Sequence, residues 1–200
     1  MMRPFTLIVA AIMLMLSPAV LAAQDDLWKH VNPDAGPMRL ERTEVTEAQR
    51  SAVLRLFRTQ GQLHAWECEG AQDEEQLLNG LMYSSIPIAE GKTVYLVEAG
   101  AGCARGGQGS NGAMWLVEFD RSGPVLLATP KEGFGGWLFS VQPSANHGYR
   151  DVVLGWHMSG SEAGLSYFRF DGKRYQPVGG ALAKWDEDEH LTITPGPKKN

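Results

Sequence analysis

The chain has 200 residues and a formal net charge of −5 at pH 7, and 44% of its residues are hydrophobic. A chain of this length and balance is long enough to bury a core and suits a single domain. Its acidic balance, without clusters of lysine and arginine, argues against a nucleic-acid partner, because phosphate contacts need such clusters.

The first 23 residues have the three-part layout of a secretory signal peptide. Arg3 precedes an uncharged apolar run from Phe5 to Leu16, which a break at Ser17 and Pro18 separates from small residues up to Ala23. The apolar run is shorter than the roughly 20 residues that a spanning helix needs. No cysteine lies near the cleavage site, so we expect neither a membrane span nor a lipid anchor. The sequence therefore predicts an exported protein, either periplasmic or fully secreted.

The remainder is predicted to form one globular domain over 24–194 and a flexible tail over 195–200. Its first clear element is a helix. Thr46 and Gln49 have the spacing of a capping box, and apolar residues recur at helical spacing up to Phe57. Gly61 is a typical C-terminal stop. A second, weaker helix is predicted over 73–78.

From about Tyr83 onward the pattern changes to short strands and tight turns. Turn sequences occur at Glu90-Gly91, at 120–123 and at Asp171-Gly172, each between runs of β-branched and aromatic residues. Asp171-Gly172 is the strongest of them, because it supplies the positive φ angles of a short hairpin turn. These patterns predict an α+β fold, mostly β, in which an antiparallel sheet of hairpins carries one N-terminal helix.

Two cysteines, Cys68 and Cys103, are predicted to form a disulfide, as lone pairs commonly do in an oxidising compartment. The bridge would close a loop of 35 residues and stabilise the fold by roughly 3–4 kcal/mol in the chain-entropy model. A reactive thiol and a metal site are the alternatives, and the absence of a CxxC spacing disfavours both.

The glycine-rich stretch 100–109 follows a predicted strand, as a dinucleotide-binding loop would. Such a loop needs a helix after it, whose N-terminus holds the pyrophosphate, and here another strand follows. We therefore interpret the stretch as a flexible loop pinned by Cys103. The five histidines show no metal-binding spacing, so the sequence predicts no cofactor and no metal.

The stretch 146–151 and the strand after it resemble the calcium loop of FG-GAP propeller blades, in which acidic residues flank a turn glycine. With Gly148 as that glycine, Asp151 matches an acidic ligand position. The other ligand positions hold Pro143, Ala145 and His147. Because calcium needs several oxygen ligands, the resemblance implies strand geometry and no calcium. The C-terminal half is also similar to uncharacterised bacterial exported proteins that carry hairpins like the one at 167–175, which implies no activity.

His157 leaves a predicted strand and enters a polar turn, which is a usual place for functional groups. It is the candidate general base of a small hydrolase, with Ser159 or Ser161 as nucleophile and Glu162 as the orienting group. The Gly-x-Ser-x-Gly elbow is absent, and a histidine with a structural hydrogen bond is the alternative. Our main interpretation therefore assigns no catalytic residue.

Candidate binding residues come from two other stretches. Phe134 and Trp137 flank a glycine pair, and Trp137 is an obvious anchor for a partner if exposed and a core residue if buried. Asp186 and Asp188 belong to an acidic run that is either a docking surface for a basic partner or a solvated loop. We therefore predict an exported binding or accessory protein, of inhibitor or immunity type, that acts on a protein or an envelope polymer. A small hydrolase centred on His157 and a structural envelope component are the alternatives.

Overall fold

The computed structural model describes residues 27–33, 37–62, 80–100, 105 and 111–196. The predicted signal peptide, Cys68 and Cys103 with their predicted disulfide, the second helix, most of the glycine-rich loop and the last four residues lie outside these ranges. Within them the chain forms one complete α-helix, a short 3₁₀ helix at Pro130–Glu132 and nine strands, all paired antiparallel. The predicted α+β, mostly β fold class is confirmed.

The helix, α1, spans Glu47–Thr59 and begins at the predicted capping box. The backbone N–H of Gln49 donates to Thr46 Oγ1 at 3.2 Å, and the Gln49 side chain accepts from the Thr46 N–H at 2.9 Å. The strands are β1 Leu81–Ser85, β2 Thr93–Ala99, β3 Gly112–Asp120, β4 Gly123–Ala128, β5 Gly135–Asn146, β6 Tyr149–His157, β7 Glu162–Phe170, β8 Tyr175–Trp185 and β9 Leu191–Pro195.

The strands follow the order β1-β2-β3-β5-β6-β7-β8-β9, and β4 pairs with β3 beside this path. Strand β3 therefore has two partners along one of its edges. Its later part pairs with β4, while Gly112 and Ala113 at its start pair with Gly136 and Gly135 of β5. This switch divides the sheet into a first half, β1–β4, and a second half, β5–β9.

The two halves share a central core. It combines buried apolar side chains from both, including Leu96, Leu116, Leu154, Phe168 and Tyr175. Alternate residues of each strand point to the opposite face of the sheet, so each half also has an apolar outer face that must be covered.

Helix α1 and the N-terminal segment cover these outer faces. Phe57 of α1 packs on Trp115 of the first half, with ring centroids 4.8 Å apart. Trp28 packs edge-on against Tyr167 of the second half at 5.8 Å. The opposite face of the second half carries Leu154 and Phe168 of the central core. Described residues cover this face only partly at the end where β6, β7 and β8 reach two exposed turns.

Candidate functional site

One row of residues crosses the second half of the sheet near the exposed turns. Trp156 of β6 lies opposite Gly164 of β7, Gly164 lies opposite Leu182 of β8, and Leu182 lies opposite Thr194 of β9. Directly opposed residues of an antiparallel sheet project from the same face. Trp156 and Leu182 therefore stand on one face with a glycine between them.

This row carries an exposed apolar patch. Trp156 and Leu182 are each 38% exposed, and Met158, two residues beyond Trp156, is 57% exposed. Together they are three of the five large hydrophobic residues that are exposed among the described ranges; the others are Met38 and Val125. We call Trp156, Met158 and Leu182 the apolar surface.

The indole of Trp156 lies flat against the backbone of Gly164. A Cβ atom built on Gly164 would lie 2.1 Å from Cε2 of Trp156, a distance at which no real Cβ atom is found. A side chain at this position would push the ring away from the sheet. The glycine therefore lets a large aromatic ring rest on the strand with one of its faces toward solvent.

Two turns border the apolar surface. The carbonyl of Ser161, in the β6–β7 turn, accepts from the N–H of Trp185 at 2.9 Å, and this bond brings the β8–β9 turn alongside. Next to it, Lys184 Nζ lies 3.6 Å from Glu162 Oε1. The single lysine of this border is thus already paired with a carboxylate.

The β8–β9 turn carries the acidic run 186–189, which we call the acidic turn. Asp186 shapes it: Oδ1 accepts from the N–H groups of Asp188 at 3.0 Å and His190 at 2.9 Å. The hydrogen bond from the His190 N–H is the main reason why the pKa of Asp186 is lowered, so this carboxylate stays ionised. Asp188 and its two glutamate neighbours are exposed, and the turn adds negative charge to the edge of the apolar surface.

On its other side the apolar surface adjoins a small cleft of about 180 Å³. Gly136 connects the two, because it lines the cleft and a Cβ atom added to it would lie 3.4 Å from Cα of Trp156. Within the cleft, Arg42 Nη1 lies 2.5 Å from Glu98 Oε2. The Arg42–Glu98 pair has no net charge, and the exposed Arg105 also lines the cleft, which therefore forms a polar border.

The structure separates the two predicted aromatic contacts. Phe134 is fully buried in the central core, 5.1 Å from Phe168 between ring centroids, so its side chain is inaccessible to a partner. Trp137 is half-buried on the outer face, where its ring packs near Phe139 and lies across Gly155. The more exposed indole is that of Trp156 on the neighbouring strand and the opposite face of the sheet, which the sequence did not single out.

The predicted hydrolase residues lie at an exposed end of β6 and β7. The backbone of His157 is clamped by Asn111, whose side chain accepts from the His157 N–H at 2.6 Å and donates to its carbonyl at 3.0 Å. Ser159 Oγ accepts from the N–H of Ser161 at 3.4 Å, and Glu162 pairs with Lys184 as above. Within the described residues, no hydrogen bond joins the imidazole to either serine or to Glu162.

Asp151, the position that matches the FG-GAP loop, is completely buried. Its carboxylate accepts from Ser144 Oγ at 2.8 Å, from Tyr167 OH at 3.1 Å and from Arg169 Nη2 at 3.0 Å. All three donors bind Oδ2, and Oδ1 accepts from the Asn146 side chain at 3.4 Å, so protein groups contact both oxygens. In the described ranges, no group of three or more histidine, cysteine, aspartate or glutamate side chains is placed to hold a metal ion.

None of the helices in the described ranges is long and apolar enough to cross a membrane. Comparisons of the chain with models of protein families, with curated proteins and with solved structures find no match in any of the three.

Proposed function

We propose that the protein is an exported binding protein, an accessory of inhibitor or immunity type, that holds a protein partner on the apolar surface. The observation that carries this proposal is the grouping of Trp156, Met158 and Leu182, three of the five exposed large hydrophobic residues among the described ranges, on one face beside two turns. The signal-peptide pattern of the first 23 residues supports the exported location.

The composition of the apolar surface suits a protein interface. Tryptophan is among the residues that contribute most binding energy at such interfaces, because it buries a large rigid area. Methionine adapts its shape to a partner. Grouped apolar side chains with a polar border are typical of interaction sites, and here the border consists of the acidic turn and the Arg42–Glu98 cleft.

The charges around the surface indicate the chemistry of the partner. The acidic turn has four carboxylates, and the nearby Lys184 is paired with Glu162. A partner that presents apolar side chains with lysine or arginine beside them would be attracted and oriented, while an acidic partner would be repelled. We therefore propose a partner segment of mixed apolar and basic character.

Leu182→Ser and Val125→Ser form a matched pair of variants that tests the proposal. Leu182 lies on the apolar surface and Val125 does not, although the two side chains are 38% and 40% exposed. The proteins are immobilised and exposed to envelope and secreted fractions, and retained proteins are identified by mass spectrometry. We expect one protein to be retained near stoichiometrically by the wild type and by Val125→Ser, and to be lost from Leu182→Ser.

Retention that is equal in both variants would contradict the proposal, and so would the absence of any specific protein in the wild-type sample. Raising the salt concentration provides a second criterion. If the acidic turn selects a basic partner, the association rate should fall as salt screens the charges.

A further inference from the structure

The cleft beside the apolar surface combines charged and apolar side chains in one small cavity. Its volume is about 180 Å³, and Met82, Glu98 and Met114 are among the residues that line it. Glu98 of β2 lies opposite Met82 of β1 and also opposite Met114 of β3, so the three side chains project from the same face of the sheet. The carboxylate of the cleft therefore has a thioether side chain on each side.

Two glycines leave space in the cleft. Gly112 of β3 and Gly136 of β5 line it and lie opposite each other where these two strands pair. Neither has a side chain that would fill the space, so a bound group can approach the backbone closely. A cavity of about 150 Å³ accommodates a benzene molecule, and the cleft is slightly larger. It therefore has room for one small ring or one branched apolar group.

Arg42 is held in place at the cleft by contacts of its backbone and its side chain. Its backbone bridges to Ser84 of β1, and Nη1 lies 2.5 Å from Glu98 Oε2 and donates to Ser84 Oγ at 3.4 Å. Both side-chain contacts use Nη1, and no described residue accepts a hydrogen bond from Nη2 or Nε. The guanidinium is thus fixed in position, while two of its three nitrogens can still donate to a ligand.

Arg105 supplies a second guanidinium to the same cleft. It is exposed, and no residue of the described ranges forms an ion pair or a hydrogen bond with it. Two arginines and one glutamate leave one positive charge in excess at the cleft, although the whole chain carries −5. A monoanion would balance this excess. Arginine is well suited to planar carboxylates, which it can bind through two parallel hydrogen bonds.

We propose that the cleft binds a small organic carboxylate. The carboxylate group of the ligand lies against the guanidinium groups of Arg42 and Arg105. The apolar group attached to it contacts Met82 and Met114 above the two glycines, since methionine side chains adapt to apolar groups of different shape. A free carboxylic acid and the C-terminal residue of a peptide both present this chemistry. Inorganic phosphate fits less well, because it carries more negative charge and no apolar group.

This inference does not rest on the proposed partner of the apolar surface, because a ligand of this size enters the cleft without covering that surface. The two sites are adjacent, however, since Gly136 lines the cleft and approaches Trp156. The test therefore has to show where a ligand binds as well as whether it binds.

The methionines provide probes of the location. Protein expressed from the full 200-residue sequence is isotope-labelled at its methionine methyl groups and titrated with benzoate up to about 20 mM, because so small a ligand binds in the millimolar range. We expect the methyl signals of Met82 and Met114 to shift and to saturate. The signal of Met158, on the apolar surface, should stay nearly unchanged. The variants Met82→Leu and Met114→Leu assign the two signals.

Benzamide is the control for the charge of the ligand, because it keeps the ring and lacks the carboxylate. It should bind about tenfold or more weakly than benzoate. N-acetylglycyl-leucine distinguishes the two sources of the ligand. Tighter binding of this peptide acid than of benzoate would assign the cleft to peptide C-termini, and equal or weaker binding would assign it to free carboxylic acids.

Arg105→Gln and Arg121→Gln form a matched pair of variants, because both arginines are exposed and Arg121 does not line the cleft. We expect Arg105→Gln to weaken benzoate binding by about threefold or more and Arg121→Gln to leave it unchanged. Glu98→Gln should tighten binding by about threefold, because it removes the carboxylate that competes with the ligand for Arg42.

Four results would overturn the proposal. The first is that the signals of Met82 and Met114 do not move at the highest benzoate concentration. The second is a shift confined to Met158, which would place the ring on the apolar surface. The third is equal benzoate binding by the two arginine variants, which would reduce the effect to the charge of the whole protein. The fourth is tighter binding of inorganic phosphate than of benzoate, which would exclude a site for organic carboxylates.

Discussion

A completely buried carboxylate is the least expected residue of the second half of the sheet. Asp151 has no exposed surface, and its oxygens accept from Ser144, Tyr167 and Arg169. The hydrogen bond to Asp151 is the main reason why the pKa of the Arg169 guanidinium is raised. Because a buried charge without partners is very costly, the folded state depends on this set of donors being complete.

We predict that Asp151→Asn lowers the free energy of unfolding by about 2–4 kcal/mol, since the amide has the same shape but leaves Arg169 without its counter-charge. Urea denaturation followed by circular dichroism measures the change. Asp188→Asn, at an exposed position of the acidic turn, is the control and should stay within about 0.5 kcal/mol of the wild type. Similar values for the two variants would show that the buried pair contributes little.

The residue types in the sequence could not show which tryptophan is exposed or that Asp151 is buried among donors. The alternation of a strand tells which residues share a face, but not which face another layer covers. Trp137 and Trp156 lie on neighbouring strands but on opposite faces of the sheet, and Trp137 is half-buried against the outer cluster while Trp156 stays more exposed. Likewise, the donors to Asp151 on β6 come from the neighbouring strands β5 and β7, and their positions depend on registers that the sequence does not reveal.

The turns are the elements that the sequence predicted best. A hairpin occurs at Asp171-Gly172 as predicted, but its loop has four residues, because the ladder ends at the pair Phe170 and Tyr175. Asp171 Oδ1 accepts from the N–H groups of Lys173 and Arg174, both at 2.8 Å, and Gly172 has φ of 100°. Turn chemistry is local, so short motifs encode it well; the side chain of Asp171 stabilises a longer loop than the dipeptide alone suggested.

For the apolar surface formed by β6, β7 and β8, we predict that Gly164→Ala weakens partner binding with little loss of stability. The added Cβ would meet the indole of Trp156 at 2.1 Å, and this exposed ring can swing toward solvent more easily than a strand can move. The expected signs are a changed near-ultraviolet circular dichroism band and reduced retention of the partner.

Gly160→Ala is the control for this substitution, because a Cβ atom there meets no heavy atom within 4 Å. If Gly164→Ala changes the aromatic signal yet retains the partner as well as Gly160→Ala does, the position of the Trp156 ring does not matter for binding.

The whole molecule depends on how the two halves of the sheet close on each other. Beyond the shared core, Lys92 of the first half contacts Glu118 at 3.0 Å and also binds the hydroxyl of Tyr149 from the second half. The N–H of Arg150 donates to the carbonyl of Ile88 at 2.7 Å across the same junction. The sequence predicted the hairpins but not this closure, because it joins residues that are distant in the chain and follows from the switch of β3 between β4 and β5.

Closure also removes phenol groups from water. Of the five tyrosines, four have a raised pKa, and burial is the main cause in each: Tyr83, Tyr149, Tyr167 and Tyr175. For Tyr83 burial raises the pKa to about 12. In the unfolded chain these groups ionise near pH 10. Above that pH the folded state holds more protons than the unfolded state, so the free energy of unfolding must fall as the pH rises.

We therefore predict that alkaline titration unfolds the protein cooperatively between about pH 10 and 12, with phenolate absorbance at 295 nm and loss of circular dichroism changing together. Tyr83→Phe should shift this transition to higher pH. Its buried hydroxyl has no hydrogen-bond partner among the described residues, so its removal deletes an ionisation without deleting a bond. Tyr149→Phe, by contrast, loses contacts to Lys92 and Glu118 and should already be less stable at pH 7.

A different result would contradict this account. If four phenols ionise near pH 10 while the circular dichroism stays unchanged, solvent reaches them without unfolding. The closure of the two halves would then not be what protects these tyrosines.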